Sequence, residues 1–368
     1  MKPAGRLFSS FPPAPAQPVA RRRTLVRNED ARASLSARKA TRMTISPRSV
    51  PLDYAIAPIL EAALHAPSSH NTQPWRFRVA GRAIRLYADR SRSLPINDPE
   101  DRELAISCGC ALFHIRVAAA AEGLAATAAI LPDPDSTDLL ATVTLQPAER
   151  RSLPDAALAE YIERRHSYRN EFEPAMISDY VLDRLAAAAE QEGAWLQFVS
   201  SVDHRQQLAT LIAEGDAAHW ANPGWRRELA RWVHPRDAGD GLPVNWMVAP
   251  LAQAAIRTLD LGGRIGARDR HIADDSPVLA IIGAAGDSPA DWIAAGQALG
   301  RVLLEACSHD VQASFLNQPV QIPTLRPRLQ SLLGHAGQPQ IVLRFGHPAG
   351  DPPRTPRRQL QEVLDSQG

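Results

Sequence analysis

Two patterns of apolar residues run along the chain and predict two kinds of element. Apolar, Ala-rich or amphipathic runs predict three helices, over residues 59–65, 101–123 and 180–191. Alternating or short apolar runs predict six strands, over residues 75–79, 83–87, 125–131, 141–145, 276–283 and 339–345. Gly81 marks a turn between the first two strands, which therefore form a hairpin. Helices combined with antiparallel strands indicate an α+β fold.

Composition divides the chain into a basic tail and a body. The 368 residues, 45% of them hydrophobic, are enough for two domain-sized units with sizeable cores. The net charge of +1 gives no reason to expect a nucleic-acid partner. Residues 1–48 carry 11 Lys and Arg against Glu29 and Asp30, and their Pro, Ala, Ser and Arg content predicts disorder. Met43 is an alternative translation start within this tail.

The sequence shows no targeting or membrane segment. Arg21-Arg22-Arg23 is not followed by the apolar run that an export signal needs. No stretch approaches the roughly 18 uninterrupted apolar residues that read as a membrane span. We therefore expect a cytoplasmic protein with no membrane partner.

Cysteine and lysine usage exclude several kinds of chemistry. Cys108, Cys110 and Cys307 form neither a disulfide framework nor the Cys-x-x-Cys spacing of a zinc site, so we expect core residues and no metal. Both lysines, Lys2 and Lys39, lie in the tail, which leaves the body with 30 Arg and no Lys. A Schiff-base lysine and a P-loop lysine are therefore excluded. An anionic cofactor would have to be bound by Arg, backbone amides and hydroxyls.

A polar loop connects the first helix to the first strand. Within Pro67–Pro74, the hydroxyls of Ser68 and Ser69 and two carboxamides are held between regular elements, a set that suits the rim of a flat heterocycle. The alternative is an ordinary loop whose polar side chains bond their own backbone. The order Pro-Ser-x-x-Asn-x-Gln-Pro-Trp-x-Phe resembles the flavin-edge loop of the nitroreductase family of FMN enzymes. The resemblance implies flavin contacts from five residues, Pro67, Ser68, Ser69, Asn71 and Gln73.

A second motif lies about 100 residues further along, at Arg165-His166-Ser167-Tyr168-Arg169. Cations and a hydroxyl at a turn could clamp a phosphate, since Arg bonds phosphate oxygens in bidentate fashion, or could form a solvated basic turn. Arg-His-Ser-x-Arg resembles the FMN phosphate-binding motif of nitroreductases. By that resemblance Arg165, Ser167 and Arg169 bind the phosphate and ribityl chain, with His166 alongside.

The C-terminal part adds two further candidates. Asn317-Gln318-Pro319 resembles a feature of the Acg-like subgroup of tandem nitroreductase-like flavoproteins, which implies amide contacts to the flavin from Asn317 and Gln318. Arg354, Arg357 and Arg358 form a basic cluster that, by family analogy, returns to the FMN phosphate. A solvated tail is the alternative for this cluster.

An internal repeat relates residues 109–124 to residues 296–311 at a constant offset of 187, with Gly, Ala, Leu and Ala coinciding. In the nitroreductase family this is the central helix of the dimer core, so the resemblance implies a fused pseudo-dimer. We expect two nitroreductase-like modules, residues 49–150 and 151–350, between the basic tails 1–48 and 351–368. The first module has the loop and the second has the clamp, whereas Gln191–Trp195 replaces the second loop. We therefore expect one FMN site per chain and a functional monomer.

Residues 216–275 fit neither copy of the repeat and hold four of the seven tryptophans, which predicts a lid over the flavin or a peripheral subdomain.

The resemblance implies an NAD(P)H-dependent FMN oxidoreductase. Hydride would pass through flavin N5 in a ping-pong cycle to nitroaromatic, quinone or similar acceptors, with no catalytic side chain required. The physiological substrate stays open. The alternatives are an FMN-binding or FMN-sequestering protein closed by its lid, and a scaffold with a vestigial site.

Overall fold

The computed structural model describes residues 52–149, 152–260, 276–350 and 354–365, together with residues 262, 265–267 and 269. The predicted tail 1–48 and the alternative start at Met43 lie outside these residues.

The first half is an antiparallel sheet with two helices. Its elements are α1 (Leu52–Leu64), β1 (Trp75–Ala80), β2 (Ala83–Ala88), α2 (Arg102–Ala121), β3 (Leu124–Ile130) and β4 (Leu139–Pro147). The strand order is β1-β2-β4-β3, and the predicted hairpin around Gly81 is confirmed. The alternation along β1 places Trp75 and Phe77 in the core with no exposed surface. The pattern of polar and apolar residues therefore predicted the elements of this half and its hairpin, whereas the strand order and the start of α1 at Leu52 come from the structure.

The second half has the same order of sheet elements with longer connections. Its elements are α3 (Asp179–Glu190), β5 (Trp195–Phe198), α4 (Val202–Ala221), α5 (Pro223–Arg231), β6 (Val233–Pro235), β7 (Leu242–Val244), α6 (Ala249–Thr258), β8 (Val278–Ala284), α7 (Pro289–Ser308), β9 (Gln312–Phe315), α8 (Gln318–Gln321), α9 (Arg326–Leu333) and β10 (Gln338–Gly346). The four-stranded sheet is ordered β5-β8-β10-β9, which matches β1-β2-β4-β3 position by position. The α+β expectation is confirmed.

The helices α2 and α7 cross at two glycines. A Cβ on Gly109 would lie 2.4 Å from the carbonyl oxygen of Ile293, and a Cβ on Gly296 would lie 2.1 Å from that of Ile106. Residues 106 and 109 are separated from 293 and 296 by the repeat offset of 187. Each contact is therefore the counterpart of the other, and only glycine permits so close an approach of the two backbones.

The helix α2 is long and apolar enough to cross a membrane by length and composition, yet 89% of that stretch is buried within the fold. It packs between α1 and α7 as the central helix of the core. Cys108, Cys110 and Cys307 are buried and unbridged along the two central helices, as expected of core residues.

The connection between β5 and β8 holds α4, α5, α6 and the two-stranded sheet β6-β7. Since α4 already begins at Val202, this connection starts earlier than the predicted insertion, residues 216–275. We call residues 199–277 the insertion from here on.

The C-terminal segment 354–365 returns to the first half of the chain. The backbone N–H of Phe77 donates to the carbonyl of Val363 at 2.7 Å, and the N–H of Asp365 donates to the carbonyl of Phe77 at 2.8 Å. This segment therefore extends the β1 edge of the first sheet, and its described part is not the solvated tail that the composition allowed.

Candidate functional site

A cavity of about 460 Å³ lies where several distant segments meet. Its wall comes from the loop after α1, the start of α2, residues 163–169, the junction of β9 and α8, the insertion and the C-terminal segment. Twelve of the fourteen residues that the sequence nominated line it: Pro67, Ser68, Ser69, Asn71, Arg165, His166, Ser167, Arg169, Asn317, Gln318, Arg354 and Arg357. The volume is within the range of small-molecule and cofactor sites.

One corner of the cavity is rich in guanidinium groups. Arg165 and Arg357 both donate to the carbonyl oxygen of His65, at 3.0 and 3.3 Å, and the Nε atom of each has no hydrogen-bond partner among the described residues. Arg169 lines the same cavity. None of these three guanidinium groups forms an ion pair within the described part of the chain. Burial and the neighbouring Arg165 lower the pKa of Arg357 to about 9. Such a corner is built to receive an anion.

Arg344 holds the backbone of the clamp in place. From β10 its guanidinium donates to the carbonyl oxygens of Tyr168 and Asn170, at 3.1 and 2.9 Å, and it stacks 4.5 Å from the ring centre of Phe172. The N–H of Tyr168 donates to Ala313 of β9 at 2.9 Å. The sequence did not nominate Arg344, because a single cation in an apolar strand carries no motif.

The loop after α1 has an unusual backbone. His70, Asn71 and Gln73 have φ angles of +50°, +56° and +50°, a left-handed conformation that costs energy for residues other than glycine. Hydrogen bonds hold the loop there: the Ser69 hydroxyl donates to the buried carboxylate of Glu103 at 2.6 Å, and the N–H of Gln73 donates to the Ser68 hydroxyl at 2.9 Å. The His70 ring lines the cavity, and its Nε2 has no partner among the described residues.

Two carboxamides of the loop bind distant parts of the chain. The Asn71 amide donates to the carbonyls of Gly241 and Pro356, at 3.2 and 3.1 Å. The Gln73 amide donates to Gly239 at 2.9 Å and accepts from the N–H of Arg358 at 2.9 Å. These bonds tie the loop to the insertion and to the C-terminal segment.

Gln73 and Arg358 are the two nominated residues that do not line the cavity. Gln73 has no exposed surface, and the guanidinium of Arg358 donates to the carbonyls of Gln73 and Glu362. The structure gives no support to their assignment as cofactor contacts. Both side chains instead bind the backbone of neighbouring segments.

Asn317 and Gln318 reach the cavity but donate to carboxylates. Asn317 donates to Glu103 at 3.3 Å and accepts from the N–H of Val342 at 3.0 Å. Gln318 donates to Asp216 and to Asp269, each at 3.1 Å, while its Oε1 has no partner among the described residues. Only the Gln318 oxygen is therefore left for a ligand.

The insertion supplies an aromatic wall to the cavity. His219 stacks on Trp225 with ring centres 4.6 Å apart, and Trp220 packs edge-on against Trp225 at 5.7 Å. The indole N–H of Trp225 donates to Asn97 at 2.8 Å. Burial lowers the pKa of His219 to about 4, so this wall is neutral near pH 7. The sequence predicted a tryptophan-rich cover but did not single out His219 or Asp216.

Comparison with known proteins identifies the family. The Nitroreductase family model matches residues 35–103, a stretch that begins within the predicted tail and contains the loop after α1. "Putative NAD(P)H nitroreductase Rv3131" of Mycobacterium tuberculosis is 32% identical over 313 residues, which cover 83% of this chain and 90% of that protein. "Putative NAD(P)H nitroreductase acg" of the same organism is 26% identical over 311 residues, 83% of this chain and 93% of that protein. The chain belongs to the nitroreductase family.

A solved structure shows a weaker similarity. The FMN-dependent nitroreductase NfnB of Mycobacterium smegmatis, in complex with NADPH, covers 58% of this chain and 99% of its own, with 17% identity and a TM-score of 0.39.

Proposed function

We propose that this protein is an FMN-binding oxidoreductase that takes electrons from NAD(P)H. The observation that carries the proposal is the corner of Arg165 and Arg357, where two guanidinium groups without a carboxylate partner converge on one carbonyl oxygen. Arg169 lines the same cavity. A phosphate group would supply the missing negative charge and accept from the unpartnered Nε atoms. The relatives named NAD(P)H nitroreductases support the same conclusion.

The residues present fit FMN in two respects. Arg165, Ser167 and Arg169 would hold the phosphate and ribityl chain, with Arg357 completing the cationic corner. The left-handed loop and the neutral wall of His219 and Trp225 would enclose a flat ring. When bound, FMN supplies the hydride chemistry, so that donor and acceptor would use the cavity in turn. We expect nitroaromatic, quinone or similar acceptors and, because NAD(P)H is an intracellular donor, a cytoplasmic location.

We further propose that the two halves are fused nitroreductase-like modules that form one site per chain. The matching strand orders and the reciprocal contacts of Gly109 and Gly296 support an internal two-fold relation. Arg165 lies close to Cys110 and His114 of α2, and the repeat counterparts of those two residues on α7 are Gln297 and Arg301.

The counterpart side is filled by an ion-pair network. Arg301 donates to Glu192 at 2.7 Å and to both oxygens of Asp155, at 2.8 and 3.0 Å. Arg116 donates to Glu192 and, at 2.9 Å, to Gln297. Both Arg116 and Arg301 have carboxylate partners, so the described residues of this side offer no anion site.

The test compares two ligands that differ by one phosphate. Charge-assisted hydrogen bonds contribute about 1.5–3 kcal/mol each, so Arg165→Ala should weaken FMN binding by roughly 10- to 150-fold. Riboflavin lacks the phosphate and should bind both proteins equally. Arg164→Ala is a matched control, because Arg164 is half-exposed and pairs with Asp310 at the surface. Equal losses for FMN and riboflavin in Arg165→Ala would show that Arg165 supports only the fold.

A second candidate function is FMN sequestration. It is favoured by the bonds from Asn71 and Gln73 that fasten the loop to residues 239–241 of the insertion, beside the aromatic wall. An enzyme should lose the absorbance of its oxidised flavin within seconds when NADPH or NADH is added without oxygen. A sequestering protein should stay yellow, and Trp220→Ala should then allow reduction.

A further inference from the structure

Asp216 places a carboxyl group in the cavity wall. It lies on α4 of the insertion and is 4% exposed, its Oδ1 accepts from the Gln318 amide, and its side chain is hydrogen-bonded to that of Asp269. Two carboxyl groups can share a hydrogen bond only while one of them holds a proton, so this pair keeps an acidic proton at the cavity wall. The first module has no counterpart for it, because β1 and β2 are joined there by a short turn at Gly81.

The fold brings Asp216 there through close packing of α4 against α8. A Cβ on Gly215 would lie 2.6 Å from Cβ of Gln318, so glycine is required for this approach. The Gln318 amide can then donate to Asp216 and Asp269 together, each at 3.1 Å. One amide thus fixes two carboxyl groups side by side.

The surroundings of Asp216 favour its protonated form. Asp269 faces it from the segment after α6, Gln318 faces it from α8, and His219 is its neighbour one turn along α4. Burial, with the nearby Asp269 charge, raises the pKa of Asp216 to about 7. His70 and His219 have pKa values lowered to about 4, mainly by burial, and are neutral bases near pH 7.

We propose that Asp216 is the proton donor to the acceptor in the second half-reaction. The inference rests on the proposed oxidoreductase function and extends it, since the sequence pointed to no catalytic side chain. Two-electron reduction of a quinone, for example, adds one hydride and one proton. Reduced FMN, when bound, would supply the hydride and with it both electrons. The proton leaves the Asp216 carboxyl for the quinone oxygen, and the carboxylate regains a proton from solvent.

The test follows reoxidation of the pre-reduced protein by a benzoquinone across pH 5.5–9. In the native chain the rate should fall as pH rises through about 7, because Asp216 loses its proton there. Asp216→Asn should be slower by about 100-fold at pH 6 and independent of pH, as expected on loss of a general acid. Reduction by NADPH should change little, since that half-reaction takes no proton from Asp216.

Glu214→Gln is the matched control. Glu214 lies on the same helix, is exposed and pairs with Arg328. This variant should keep the native rate and pH profile. A native pH profile in Asp216→Asn would overturn the proposal.

A second readout requires neither flavin nor activity. A carboxyl whose folded pKa is raised from near 4 to about 7 destabilises the folded state increasingly between those pH values, and the penalty persists above them. Asp216→Asn should therefore raise the unfolding midpoint of the FMN-free chain at pH 8 and leave it almost unchanged at pH 4. Loss of stability at pH 8 would show a structural carboxylate and refute the donor role. If the native chain binds no FMN but Asp216→Asn still shows this gain in stability, the proposed function is refuted while the raised pKa of Asp216 is supported.

Discussion

The two sides of the α2–α7 crossing have related topology and opposite electrostatics. On one side, Arg165 and Arg357 lie 3.0 and 3.3 Å from a single carbonyl oxygen, and their Nε atoms are unpartnered among the described residues. On the other side, Arg301 makes three short contacts to two carboxylates. The comparison shows that the two sides differ in whether each cation has an internal carboxylate partner.

The largest expected effect comes from disturbing the crossing itself. In Gly296→Val a branched side chain would enter a space where even Cβ lies 2.1 Å from a backbone oxygen. We expect a loss of about 3 kcal/mol or more, measured by urea unfolding, since a backbone atom cannot move aside cheaply. Gly350→Ala is the control, because a Cβ there meets nothing within 4 Å. A loss confined to one half of the chain would contradict a shared core.

A somewhat smaller effect is expected on the sealed side. Arg301→Ala removes both hydrogen bonds to Asp155 and one of the two cations that pair with Glu192, and the Arg301 side chain is only 10% exposed. We expect a loss of about 3 kcal/mol in the free energy of unfolding with unchanged FMN affinity. A decrease in FMN binding that matched that of Arg165→Ala would mean that both sides serve the cofactor.

Ligand stoichiometry sharpens the comparison directly. Heat-released flavin, divided by protein concentration, should give one FMN per chain, and light scattering should give the mass of a monomer. The physical reason is that Glu192 and Asp155 already neutralise the cations of the sealed side. Two FMN per chain would contradict the asymmetry, and an obligate dimer with shared flavin sites would contradict the fusion.

The smallest effect is expected at the N-terminus. Along the sequence, the residues before α1 correspond to the clamp that precedes α3, but they reproduce no Arg-His-Ser-x-Arg. A chain shortened to begin at Met43 should match the full chain in melting temperature and flavin content. A loss of either would show that residues 1–42 contribute to the fold, a real test because the family match begins at residue 35.

Local patterns predicted the helices and strands of the first half but only α3, β8 and β10 of the second. The repeat offset of 187 pointed to α7 and marked the two glycines that meet. The insertion was predicted to begin at residue 216, whereas α4 already begins at Val202. The sequence of α4 hardly separates an apolar from a polar face, so it carries little helix signal.

The candidate site was only partly predictable. The ordered motifs located the loop and the clamp. They do not show whether a given side-chain amide donates to a ligand or to the protein itself. The Asn71 amide donates to the carbonyls of Gly241 and Pro356, which are 170 and 285 residues away along the chain. Arg344 and Asp216 matter through contacts that arise only after folding, and neither has a periodic or spaced signature in the sequence.

Placing both halves in one chain changes how the site can evolve. In a symmetric dimer encoded by one gene, any substitution enters both sites at once. Here position 192 is glutamate and seals one side, while Ala66, likewise two residues after the end of its helix, remains small and buried on the other. Under the fusion proposed above, each position is inherited separately. The side with Arg301 can then accumulate stabilising charge pairs under selection for folding alone, while the side with Arg165 changes with its ligand.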